Sequence, residues 1–219
     1  MRFRAPGPLG RIGALGLLGL TLALTSGCAR RPPLVAFLGD SLTSGWKLPE
    51  SQAYPAHVQR ALREKGRPIR VVNAGVSGET VAQGLKRLPA LLRRRPDVLV
   101  VALGINDGLR GLSPETTEDG LRQILTLALS ARARVLLCGF RIPPGADERA
   151  RRFAAIYPRL AAEFRVPLVP FLLEGVAGQP ALNYSDGLHP TAEGQKRVAE
   201  NVRPALELLL AEVEAGQRH

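Results

Sequence analysis

Cysteine, histidine and long apolar stretches are all scarce in this chain. Two cysteines and three histidines occur in 219 residues. His57, His189 and His219 keep no ligand spacing with either cysteine or with nearby acids, so no metal site is read from the sequence and no cofactor is expected. Cys138 ends Val135-Leu136-Leu137-Cys138, a buried-strand pattern that suits an inert core thiol better than a disulfide. The apolar run at 12–25 holds about 14 residues, where a membrane-spanning helix needs ~20. Beyond it there is no internal repeat and no low-complexity segment. The chain also lacks a basic stripe, although its formal net charge is +11. Its cations are scattered over amphipathic segments, with Arg93-Arg94-Arg95 the longest run, which argues against nucleic acid as a partner. A dispersed basic surface fits attraction to anionic lipid headgroups better.

What is present begins with a leader. Arg2, Arg4 and Arg11 precede and open the apolar run, in the order of a secretory signal. That run passes into Thr25-Ser26-Gly27-Cys28, which resembles a bacterial lipoprotein lipobox, with Thr25 where leucine is usual. The resemblance implies a lipoprotein signal peptide at 1–27 and diacylglyceryl attachment to the Cys28 thiol; an ordinary signal cleaved elsewhere is the alternative. Residues 28–33 read as a tether, since Pro32-Pro33 forbids a helix. Loss of the leader would lower the charge from +11 to +8. The expected location is exported, on the periplasmic side of the envelope and lipid-anchored to a membrane.

From residue 34 to the end, strand-like runs alternate with helical periodicity, and 45% hydrophobic content suits one well-buried domain. Strands are predicted at 34–38, 69–72, 98–103, 135–138 and 166–170. Helices are predicted at 52–65, 81–94, 115–131, 147–164 and 191–213, with starts at Ser113-Pro114-Glu115 and at Thr191. Such alternation predicts an α/β fold with a five-stranded parallel sheet between helical layers. Ligands of such sheets sit at the carboxyl ends of the strands, where Ser41, Gly78, Asn106 and the Pro143-Pro144 loop all fall.

Four short blocks carry the chemistry: Gly39-Asp40-Ser41-Leu42, Val76-Ser77-Gly78-Glu79-Thr80, Gly104-Ile105-Asn106-Asp107-Gly108 and Asp186-Gly187-Leu188-His189-Pro190. A serine after a strand, with a carboxylate three residues before a histidine, supplies the parts of a nucleophilic triad. Taken singly, Ser41 would serve equally as a helix N-cap, and Asp186 with His189 as a turn before a helix. Thr43 stands where the nucleophile elbow of α/β-hydrolases has its second glycine, so that family is not indicated. Together the blocks resemble those of the SGNH (GDSL) hydrolases, and more closely the bacterial periplasmic group of arylesterases, thioesterase I and lysophospholipases. The likeness runs through Asn106-Asp107-Gly108-Leu109-Arg110-Gly111 and Ala155-Ile156-Tyr157-Pro158.

This resemblance implies a three-layer α/β/α flavodoxin-like fold and gives each residue a role. Ser41 would be the nucleophile, His189 the base and Asp186 its orienting carboxylate. Ser41 and Gly78 N–H and the Asn106 amide would form the oxyanion hole. Gly75 is expected to be a turn residue, Asp40 and Asp107 loop braces, His57 a helix-surface residue and Trp46 a group that lids or packs the site. Leu109, Ile142 and Leu188 are candidates for an acyl groove. The expected activity is serine-dependent hydrolysis of small-molecule acyl esters or thioesters, lysophospholipid among them, by a monomer. A carbohydrate deacetylase and a non-catalytic envelope-binding lipoprotein are the alternatives.

Overall fold

The computed structural model describes residues 1–3, 31–140 and 148–216. The chain divides into two units, Met1–Arg31 and Pro32–His219, and the architecture below is that of the second. Residues 4–27 of the leader, Cys28 and Ile142, with the Pro143-Pro144 loop, lie outside the described residues.

Five strands, β1 (Leu34–Gly39), β2 (Arg70–Gly75), β3 (Val98–Ala102), β4 (Arg134–Cys138) and β5 (Leu168–Val169), form one sheet in the order β2-β1-β3-β4-β5. Every pairing is parallel. β1 and β3 are buried along their whole length, as central strands covered on both faces must be, and this is why they read as unbroken apolar runs. The helices are α1 (Ser41–Ser44), α2 (Tyr54–Glu64), α3 (Val81–Leu92), α4 (Ile105–Leu109), α5 (Pro114–Ser130), α6 (Glu148–Phe164) and α7 (Ala192–Gly216). α2 and α7 pack together in one layer, and α3, α5 and α6 pack side by side in the other. The result is the three-layer α/β/α fold expected from the alternation. No helix among the described residues is long and apolar enough to cross a membrane.

The predicted helix starts carry their caps. Ser113 Oγ accepts from the Thr116 N–H at 3.1 Å, with Pro114 in the first turn, and Thr191 Oγ1 accepts from Gly194 N–H at 3.3 Å. Two strands differ most from expectation. β2 runs on to Gly75, because Asn73, Ala74 and Gly75 pair with Phe37, Leu38 and Gly39. β5 contracts to two residues, since this edge strand finds partners only in Leu137 and Cys138. The short helices α1 and α4, like a 3₁₀ turn at Glu50–Gln52, span too few residues to show a period in sequence.

In the 2-1-3-4-5 order the chain leaves β1 toward one side of the sheet and β3 toward the other. Their carboxyl-end loops therefore diverge between β1 and β3, the switch point at which sheets of this kind bind ligands. Ser41 follows β1, and Asn106 follows β3.

Candidate active site

α1 starts directly at the end of β1. Its N-cap is Asp40, whose Oδ1 accepts from the Leu42 N–H at 3.0 Å, so Ser41 takes the first helical position and its hydroxyl is left for other work. Ser41 is 6% exposed. The loop leading into α7 brings His189 across to it. His189 Nε2 lies 2.9 Å from Ser41 Oγ, and His189 Nδ1 lies 2.8 Å from Asp186 Oδ2. Asp186 Oδ1 accepts from the backbone N–H groups of His189 and Leu188, each at 2.9 Å. These two backbone bonds, then the imidazole, lower the Asp186 carboxyl to about 2. An ionised Asp186 only accepts, so Nδ1 must carry the imidazole proton. Nε2 is then free to take the Ser41 proton.

Gly78 and Asn106 follow the neighbouring strands β2 and β3. Gly78 has φ 77°, a left-handed conformation that turns the loop after β2 back over β1 and that a Cβ would strain. The backbone N–H groups of Ser41 and Gly78 find no acceptor among the described residues. Asn106 Nδ2 donates to Asp40 Oδ2 at 3.3 Å and to the Glu79 carbonyl at 3.1 Å. Ser41, Gly78 and Asn106 thus stand at the starts of the loops that follow β1, β2 and β3, at one end of the sheet.

Gly75 is the last residue of β2 and not a turn residue. A Cβ there would lie 2.2 Å from the Ser44 nitrogen, so glycine is what lets α1 sit against the end of β2. Asp107 Oδ2 accepts from Val81 N–H at 3.0 Å and ties α4 to the start of α3, while Asp40 links α1 to Asn106; both carboxylates brace loops. His57 is half-buried on α2. Burial, with Arg60 and Lys196 nearby, lowers its pKa. Cys138 is fully buried, and burial pushes its thiol far above the usual range, as for an inert core group. Among the described residues no three His, Cys, Asp or Glu side chains gather into a metal-binding group. Of the groove candidates, Leu109 is exposed and Leu188 half-buried.

Three further contacts shape the site. Gln195 of α7 is fully buried; its Oε1 accepts from Tyr54 N–H at 2.8 Å and its Nε2 donates to the Leu42 carbonyl at 3.0 Å. It fastens the helix that follows His189 to the one that carries Ser41. Arg87 of α3 pairs with buried Glu79 and also donates to the carbonyls of Gly39 and Ala74, clamping the ends of β1 and β2 beneath the Gly78 loop. The Trp46 ring stacks on His189. Gln195 had one sequence signal, a polar residue on the apolar stripe of a helix with Val198 and Val202. The Arg87–Glu79 pairing had none.

Asp40 sets a pH dependence. Burial raises its carboxyl to about 7, and the charges of Glu79 and Asp107 add to the effect. Unfolded, the group ionises near pH 4; folded, it keeps its proton to about 7. Between these values the folded state binds the extra proton, so its stability contribution is complete below about pH 4 and is lost by about pH 7, a change of a few kcal/mol. The unfolding free energy of the wild type minus that of Asp40→Asn should therefore decline across this window in denaturant titrations. A difference independent of pH would show that Asp40 ionises normally.

The family described as GDSL-like lipase/acylhydrolase matches residues 37–197. Esterase TesA of Pseudomonas aeruginosa is 42% identical over 197 residues, covering 89% of this chain and 96% of that protein. The thioesterase 1/protease 1/lysophospholipase L1 of Escherichia coli K12 is 42% identical over 193 residues, 87% of this chain and 91% of that one. A crystal structure of TesA superposes with a TM-score of 0.77 at 40% identity, covering 80% of this chain and 99% of the other.

Proposed function

We infer that the chain, which belongs to the GDSL-like lipase/acylhydrolase family, hydrolyses acyl esters and thioesters through a covalent intermediate on Ser41. The observation that carries the residue roles is the unbroken relay from Asp186 Oδ2 to His189 Nδ1 at 2.8 Å and from Nε2 to Ser41 Oγ at 2.9 Å. Ser41 Oγ attacks the acyl carbon as its proton passes to Nε2. The carbonyl oxygen becomes an oxyanion, held by the N–H groups of Ser41 and Gly78 and by Asn106 Nδ2. The 3.3 Å contact of Asn106 with Asp40 is the longer of its two and is the one the oxyanion replaces. The imidazolium then gives its proton to the leaving alkoxide or thiolate as the C–O or C–S bond breaks. A water yields its proton to Nε2 and its oxygen to the acyl carbon, and Ser41 departs reprotonated as the acid is released. Asp186 orients the ring and supports its charge throughout.

Leu109, with the exposed Val76 and Leu112 on the neighbouring loops, offers apolar surface for an acyl chain, and the half-buried Leu188 precedes His189; Ile142, the remaining candidate, lies outside the described residues. The esterase, thioesterase and lysophospholipase names of the relatives suit such a rim. A panel of short and long chromogenic esters, an acyl-thioester, a lysophospholipid and acetylated sugars tests the reading. Turnover of esters and thioesters is expected; turnover confined to acetylated sugars would favour a deacetylase.

Residues 1–27 act as a lipoprotein signal, Cys28 carries the lipid, and residues 28–33 tether the hydrolase domain (34–219) to the periplasmic side of the envelope. The Thr25-Ser26-Gly27-Cys28 sequence supports this reading. Two acyl chains give stable attachment where one is marginal. Cys28→Ser should move the enzyme from the membrane to the soluble fraction with normal turnover. Recovery of the wild type in the soluble fraction with an unmodified cysteine would contradict the anchor.

A further inference from the structure

The two hydrogen bonds of His189 run in the plane of its ring and fix its position there, but they resist tilting out of that plane poorly. The imidazole is itself largely shielded, its side chain 16% exposed, but its carboxylate partner is less so. The Asp186 side chain is 36% exposed, so water competes for the carboxylate that holds Nδ1. Trp46 lies against one face of the ring. Its ring lies over the imidazole with centroids 4.1 Å apart and planes within 28° of parallel.

The indole is itself held by what surrounds it. Gly45 closes α1 in a left-handed conformation, and Trp46 N–H donates to the Ser41 carbonyl at 3.1 Å, so the turn that carries the nucleophile also delivers the indole. Tyr184 meets the ring edge-on at 5.8 Å, and Tyr184 N–H donates to the His189 carbonyl at 2.8 Å. Lys47 Nζ lies 4.0 Å from the centroid of the indole, a cation–π contact.

We propose that Trp46 is a positioning residue for acyl transfer, stacked on His189 to hold Nε2 at the tilt and distance from which it reaches Ser41. The stack permits in-plane sliding of the ring between Ser41 Oγ and the leaving group or water, and it opposes swinging into solvent. The proposal rests on His189 being the catalytic base.

Trp46→Leu should lower kcat by roughly tenfold to a hundredfold with little change in KM, the penalty of a misplaced catalytic group. Trp46→Phe, which restores a flat ring, should recover most of the loss. The decisive comparison is with Asp186→Ala, where the stack is the main restraint left on the ring. Trp46→Leu should cost more kcat in that background than in the wild type, because both residues act on one imidazole. Equal cost in the two backgrounds, or wild-type kcat in Trp46→Leu, would overturn the proposal. Should Trp46→Leu fail to fold, the wild type decides by proton NMR: an indole at this distance shifts the His189 ring resonances upfield, and unshifted resonances overturn the stack. If His189→Ala kept wild-type turnover, the base assignment itself would fall, a result separable from any seen at Trp46.

Discussion

Ser41→Ala should lower kcat by on the order of 10⁴-fold or more while leaving the protein folded. In the proposed mechanism the hydroxyl is the attacking group, and it is the group hydrogen-bonded to His189 Nε2. The fold should tolerate the change because Asp40 and not Ser41 caps α1, and because Gln195 fastens the helix through the Leu42 carbonyl. Removing one buried hydroxyl costs about 1 kcal/mol, small against ordinary domain stability. His189→Ala should fall about as far, since an unassisted serine is a weak nucleophile at neutral pH. The double mutant should fall hardly further, because nucleophile and base act as one unit and the second deletion has nothing left to remove. Initial rates on a chromogenic ester, with circular dichroism of each variant, check this. Losses that multiply in the double mutant would mean that the residues act independently.

Asn106→Ala should cost about 10²–10³ in kcat, or roughly 3–4 kcal/mol of transition-state stabilisation. The effect should fall on kcat, because the amide is poised for charge that exists only once the carbonyl has been attacked. KM should change little. The substitution also leaves the buried Asp40 carboxyl and the Glu79 carbonyl without their Asn106 partner, so a stability loss of about 1–3 kcal/mol should accompany it. Unchanged kcat with a raised KM would instead make Asn106 a ground-state binding residue.

Much of this site was legible in the sequence because its parts are local. Ser41 and Asn106 each stand just past a buried apolar strand, Gly78 stands in the loop after β2, and Asp186 and His189 share one short turn. An α/β alternation by itself places the first three at one edge of the sheet. What was not legible arises between elements far apart in the chain. The contacts of Gln195 with Tyr54 and Leu42 span well over a hundred positions, and the stack of Trp46 on His189 joins opposite ends of the domain. Neither leaves a period or a spacing to read. Gly75 shows the same limit: its lack of a Cβ matters because Ser44 packs on it, a contact the turn-forming habit of glycine does not reveal. The short helices α1 and α4 went unseen for a related reason, since one turn of helix carries no amphipathic pattern.

Covalent labelling tests the Ser41 nucleophile most directly. A fluorophosphonate reacts with an activated serine and leaves a stable adduct, so the purified protein can be labelled, digested and read by mass spectrometry. One adduct per chain is expected, on the peptide that contains Ser41, with labelling abolished in Ser41→Ala and strongly slowed in His189→Ala. An adduct on another residue, or labelling that persists undiminished in Ser41→Ala, would contradict the assignment.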